Sequence, residues 1–186
     1  MSAPSFEETR ARLAQDGYRS REITYSRGKA RFFGFLCALP LRAALSVWFF
    51  SSPPRFLWPQ LWQDFFLFAA LFLAAVPLHE CLHALVWGLL CGFGSLKVRL
   101  SPPSCTCSAE MGRAKYFFGA AAPFLAFGIG FSAAALVTGS WVFFAAAALH
   151  FLCAGADLLV CARLLAAKGN VFLDHPQKCG FVCFYR

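Results

Sequence analysis

Charge is scarce in this sequence. Only 14% of its 186 residues are Asp, Glu, Lys or Arg, against roughly 25% in an ordinary soluble domain. The shortage excludes a water-solvated globule, which needs charge to cover its surface, and a disordered chain, which needs more still. Cysteines are present but poorly paired: there are nine, an odd number, and Cys37, Cys81, Cys91, Cys153 and Cys161 fall in or at the ends of apolar runs. That argues against a disulfide framework and reads these five as small hydrophobes. Cys105, Cys107, Cys179 and Cys183 could offer four thiols to a second metal, but their spacing is not the paired Cys-x-x-Cys of a zinc ribbon. Also missing from the first 31 residues is the short basic start, apolar run and small-residue site of a secretory signal, so this end is expected to be retained. Internal repeats are lacking, and low complexity is limited to the alanine runs.

Apolar residues are abundant instead, at 59% of the chain with 23 Phe. Several apolar runs approach the roughly 20 residues needed to cross about 30 Å of hydrocarbon. The fold class expected is an all-α membrane protein, a bundle of about four transmembrane helices with a short hairpin-like polar interval between the second and third. Three regions follow: a basic polar segment over 1–31, a membrane-embedded domain over 32–167 and a tail over 168–186. The first apolar stretch, Phe32 to Phe50, contains Pro40 and Arg42 and ends at Ser51-Ser52-Pro53-Pro54. Phe65 to Cys91 is the second, with Pro77 inside. In the polar interval 92–115, Leu96 to Leu100 alternates like a strand, Ser101-Pro102-Pro103-Ser104 reads as a turn, and Cys105 to Met111 alternates weakly; Glu110 there reads as a solvated charge. A third span, about Tyr116 to Val137, is rich in small residues that let helices approach closely. The fourth, Trp141 to about Ala167, follows the Thr138-Gly139-Ser140 turn.

The net charge of +8 sits mainly beside these spans, which fits positive-inside bias and not a nucleic-acid partner. Seven basic residues precede residue 32 (Arg10, Arg12, Arg19, Arg21, Arg27, Lys29 and Arg31). With that end in the cytoplasm, the basic residues of 92–115 and Lys168, Lys178 and Arg186 share its side, leaving Arg55 in a loop opposite. A multi-pass protein of the cell membrane with both termini cytoplasmic is expected.

Within the second span lies His79-Glu80-Cys81-Leu82-His83. His-Glu-x-x-His on a helix places two imidazoles one turn apart on one face, where both reach one Zn2+, with the Glu as proton acceptor. Ionisable groups inside a span are costly and mark a site. Alternatively, the histidines hydrogen-bond across the bundle and Glu80 pairs with a basic residue. A catalytic zinc takes three protein ligands, and the candidates for the third are Asp157, His150, Asp174 and His175. Depth favours Asp157: at 1.5 Å per residue it lies roughly 15 Å from the inner end of its helix, between His83 at roughly 12 Å and His79 at roughly 18 Å. A carboxylate paired with Arg42 is the competing reading of Asp157. His150 falls roughly 10 Å further outward and reads as a packing histidine. Asp174 and His175 read as a surface turn before Pro176, able to reach the ion only if the tail folds back.

These residues resemble a family of small bacterial membrane proteins described as zincin peptidases, similar in plan to the site-2 proteases. The resemblance covers roughly residues 65–184. It is carried by His79-Glu80-Cys81-Leu82-His83, Pro102-Pro103, Tyr116, Ala122-Pro123-Phe124, Gly155-Ala156-Asp157 and Phe172-Leu173-Asp174-His175-Pro176. It implies a zinc metallopeptidase with metal ligands His79, His83 and Asp157 and catalytic Glu80, acting on a peptide or membrane-protein substrate in the lipid bilayer. Gly155-Ala156-Asp157-Leu158 departs from the Asn-Pro-Asp-Gly element of the site-2 proteases. The expected mechanism is hydrolysis by zinc-activated water, with a cavity open to the inner side and the 92–115 hairpin guiding substrate by strand addition. From other classes come a non-catalytic membrane metal-binding protein or regulator and a haem-binding bundle using His150, for which Glu80 would have no role.

Overall fold

The computed structural model describes residues 4–51, 61–100 and 103–186. The expected turn at 52–54, Arg55 and the Ser101-Pro102 pair lie outside them.

The chain opens with α1 (Phe6–Gln15), capped reciprocally by Ser5 and Glu8, an arrangement that satisfies two otherwise free helix-end donors. Strand β1 (Arg19–Tyr25) follows, and then α2 (Arg27–Ser51), which runs through Pro40. The second long helix, α3 (Leu61–Cys91), carries Pro77. Proline there has no N–H for the Leu73 carbonyl, which loosens the helix one turn before His79. The polar interval folds as the antiparallel hairpin of β2 (Leu96–Leu100) and β3 (Pro103–Cys107). Pro103 and Ser104 thus belong to a strand, not to the expected turn. Helix α4 (Arg113–Pro123) passes through a π-helical stretch, Phe124–Ile129, into α5 (Gly130–Thr138). Gly139, in the left-handed region at φ 65°, closes α5, and the Ser140 side chain accepts from Val142 N–H to start α6 (Trp141–Cys153).

At Ala154 the expected fourth span breaks. Helix α7 (Gly155–Ala166) leaves α6 at 54°. Gly155 packs directly on Gly34 of α2: a Cβ on either would come within 2.5 Å of the other's backbone. Small residues at that crossing let α2 and α7 meet backbone to backbone. Among the described residues, three helices are long and apolar enough to cross a membrane, Arg27–Ser51, Trp62–Cys91 and Arg113–Thr138, or four if the bent α6–α7 pair counts as one span.

The all-α expectation needs correction at the chain ends. β4 (Val171–Asp174) and β5 (Cys179–Tyr185) form a hairpin, and β1 pairs antiparallel with β5, giving the order β1-β5-β4. Instead of a surface tail, residues 171–184 supply core: Phe172, Leu173, Phe181 and Val182 are fully buried. Leu173, Val182 and Phe184 cover Phe6 and Leu13 of α1, while Phe172, Phe181 and Cys183 pack with Trp87, Tyr116 and Leu164. The Met111–Phe172 bridge ties the hairpin's exit to β4. Glu110 is exposed, as expected of a solvated charge, and pairs at the surface with Arg12.

Candidate metal centre

His79 and His83 stand one turn apart on α3, their rings 4.9 Å between centroids. His83 is buried, and its Nδ1 lies 2.7 Å from the Gly119 carbonyl oxygen of α4. Nδ1–H donation to that carbonyl fixes the tautomer and leaves the Nε2 lone pair free for an ion. Trp87, one turn further along α3, stacks on the His83 ring at 5.4 Å and 20°. Gly119 is required here, because a Cβ would come within 1.9 Å of the Trp87 indole nitrogen.

Asp157 enters from the first turn of α7. The break at Ala154 starts a new helix beside the histidines, and a helix N-terminus favours a carboxylate. Asp157 Oδ2 lies 3.1 Å from His79 Nε2, and Oδ1 lies 3.6 Å from His83 Nε2. Ligands about 2.0–2.1 Å from a tetrahedral zinc stand about 3.3 Å apart, so these separations suit one ion. Buried Oδ2 nevertheless has no hydrogen-bond partner among the described residues. Such a close approach without hydrogen-bond alignment fits donors that converge on a shared point. Among the described residues this trio is the group of His, Cys, Asp and Glu whose ligand atoms come close enough to hold a metal, all within 4.8 Å. The four-thiol alternative finds no such cluster, and burial pushes the Cys105 thiol up to about 12, which disfavours a free thiolate. The pairing with Arg42 is not formed; Arg42 is exposed.

Glu80 is half-buried and lines the same cleft of about 370 Å³ as His79, His83 and Asp157. The cleft continues past Ser104, Cys105 and Thr106 of β3 to the β4–β5 turn, with Arg27, Arg99 and Lys178 on its walls. It therefore reaches the end of the bundle where the hairpin and the three-stranded sheet sit.

The other candidate ligands fall outside the metal-holding group, though His150 adjoins it. His150 is closer than a straight-helix count implies, because the axis bends at Ala154: its ring is 5.4 Å from that of His79 and 5.1 Å from Phe127 in the π-helical stretch. His150 Nε2 is buried without a hydrogen-bond partner among the described residues. The tail does fold back, but Asp174 serves another purpose. Its carboxylate accepts from Tyr116 Oη at 2.6 Å and Cys107 N–H at 3.2 Å, joining β4 to α4 and to the hairpin. Burial holds Asp174 well above the usual carboxylate range, at about 7. His175 Nδ1 accepts from the backbone N–H groups of Gln177 and Lys178, organising the β4–β5 turn. These two roles were invisible in the sequence, where nothing marks Tyr116 or Cys107 as partners of Asp174.

A family model spanning residues 72–172, more than half of the chain, matches this sequence; its description is "putative zincin peptidase". The chain belongs to that family. The matched segment runs from α3 to β4 and so includes the helix of His79, Glu80 and His83, the hairpin, and Asp157. The family's description implies zinc, and the His-His-Asp trio is a donor set that zinc accepts. No curated protein and no solved structure matches the chain.

Proposed function

We propose that this protein is an integral-membrane zinc metallopeptidase that cleaves peptide bonds of a peptide or membrane-protein substrate. The observation that carries the reading is the convergence of His79, His83 and Asp157 from two separate helices, with Glu80 on the wall of the same cleft. When bound there, zinc would polarise a carbonyl and lower the pKa of water. His79 and His83 would hold it through Nε2, and Asp157 through a carboxylate oxygen. Glu80 takes the proton of the attacking water and passes it to the leaving amine. The Gly119 carbonyl keeps the His83 ring in the ligating tautomer. A site of this kind needs water, and the cleft provides a route from the end of the bundle that carries Arg27, Arg99 and Lys178.

That end faces the cytoplasm in this reading, because the basic residues cluster there. The β1–β5 pairing brings both chain ends together, which supports an even number of crossings. In this reading α6 and α7 together make one span, for four in all. The cleft-lining residues of β3 are placed to meet an extended substrate segment, which could add to the hairpin as a strand.

The test is zinc analysis of the purified protein together with Glu80→Gln. The wild type is expected to hold one zinc per chain and to cleave unfolded casein in detergent. The variant is expected to keep its zinc and lose about 10²–10⁴-fold in turnover, the range that general acid–base catalysis supplies. A zinc-loaded wild type without turnover would instead indicate a non-catalytic metal-binding protein, and unchanged turnover in the zinc-loaded variant would exclude Glu80 as the base.

A further inference from the structure

Helix α3 does not stop being useful one turn above its histidines. Leu71, Phe72, Ala75 and Val76 precede His79 and Glu80 at helical spacing, and together they form one wall of a second cavity of about 160 Å³. Phe131 of α5 and Ala146 of α6 face them across it. Pro103, the first residue of β3, closes it on the hairpin side. This cavity and the cleft share His79, Glu80, Pro103 and Cys153, so the cavity opens off the place where a scissile bond would lie. Its lining contrasts with the cleft's: the cavity is mostly apolar, whereas the cleft presents charged residues from the hairpin and the chain ends. An apolar protein cavity of about 150 Å³ is large enough to hold a benzene ring. Ala75 and Ala146 are buried, and their short side chains leave room that longer ones would fill.

We propose that this cavity is the specificity subsite of the enzyme and receives one aromatic or large aliphatic side chain of the substrate, from a residue adjoining the scissile bond. The inference rests on the peptidase reading, since it is the shared His79–Glu80 wall that makes the cavity a subsite. Selectivity arises because a ring that enters leaves its aqueous or interfacial surroundings to cover apolar walls, whereas a methyl group leaves most of those walls uncovered. Its polar lining is limited to His79, Glu80 and His150 and the other walls are apolar, so a charged side chain gains little there against the cost of leaving water.

A pair of peptide hydroxamates tests this, identical except for a benzyl or a methyl side chain beside the metal-binding group, titrated calorimetrically into the full-length zinc-loaded protein in detergent. For the wild type, the benzyl compound is expected to bind on the order of tenfold or more tightly. Ala75→Leu and Ala146→Leu each fill the cavity and are expected to remove or invert that ratio. Phe72→Ala enlarges it without overpacking and is expected to move the preference to a naphthyl compound, so the test survives if a filling variant fails to fold. Equal binding of the two compounds, or a ratio that none of the variants alters, would overturn the subsite while leaving the peptidase reading intact; a cavity occupied by a lipid acyl chain gives that outcome. A zinc-loaded wild type that binds neither hydroxamate overturns the peptidase reading and the subsite with it.

Discussion

At the scale of single residues, the candidate site depends on groups outside the metal-holding trio. Gly119 has two roles at once: its carbonyl oxygen lies 2.7 Å from His83 Nδ1, and its missing side chain admits the Trp87 indole that stacks on His83. Gly119→Ala must displace either the indole or α4, and both movements disturb the imidazole. Zinc affinity is expected to fall about 10–100-fold, the usual cost of losing an outer hydrogen bond to a ligating histidine; competition with a chromogenic chelator measures it. Unchanged affinity would show that the ring is held by other means. The His-Glu-x-x-His motif was legible in the sequence because i, i+4 adjacency depends only on helical periodicity. Gly119 was not, since its value lies in a contact between residues 36 positions apart. It read as one of several small packing residues in the third apolar span.

Among the elements, the break between α6 and α7 and the chain-end sheet decide where functional groups stand. A continuous helix from Trp141 to Ala167 was the reading that hydropathy alone supports, and it placed Asp157 at a depth between the two histidines. The Ala154-Gly155 step was the available sign of a break, and the approach of Gly155 to Gly34 gives it a physical reason. The sheet had no sign of that kind. Strands β1 and β5 come from opposite ends of the chain, so no turn chemistry announces their pairing, and burial of Asp174 follows from that assembly. Asp174 gives it a pH dependence. Burial raises the folded carboxyl from the ordinary value of 3.8 to about 7, so between these limits the folded protein binds more protons than the unfolded chain. The stabilisation linked to this group is therefore complete below about pH 4 and is lost as pH rises through about 7. Thermal unfolding of the metal-free protein should show a melting temperature that falls from pH 5 to pH 8 more steeply for the wild type than for Asp174→Asn. Equal slopes would contradict the assignment.

For the whole molecule, the arrangement is a set of apolar helices with a polar cap built from both chain ends and the β2–β3 hairpin. The helical part followed from composition, because runs of apolar sequence this long have few other solutions. Coverage of the cap by α1 and the three-stranded sheet did not follow, since its strands read as surface segments until they are brought together. The β1–β5 pairing makes a prediction about topology: epitope tags at the two termini, probed in sealed vesicles of defined orientation, should be accessible from the same side. Tags exposed on opposite sides would exclude the fold as a membrane-spanning arrangement. The central claim concerns the ion itself. X-ray absorption at the zinc edge, on protein reconstituted with one equivalent of zinc, reports the ligand atoms directly. A shell of nitrogen and oxygen at about 2.0–2.2 Å, with histidine scattering and no sulfur, is the predicted result, while a sulfur shell at about 2.3 Å would contradict it and move the metal to the cysteines.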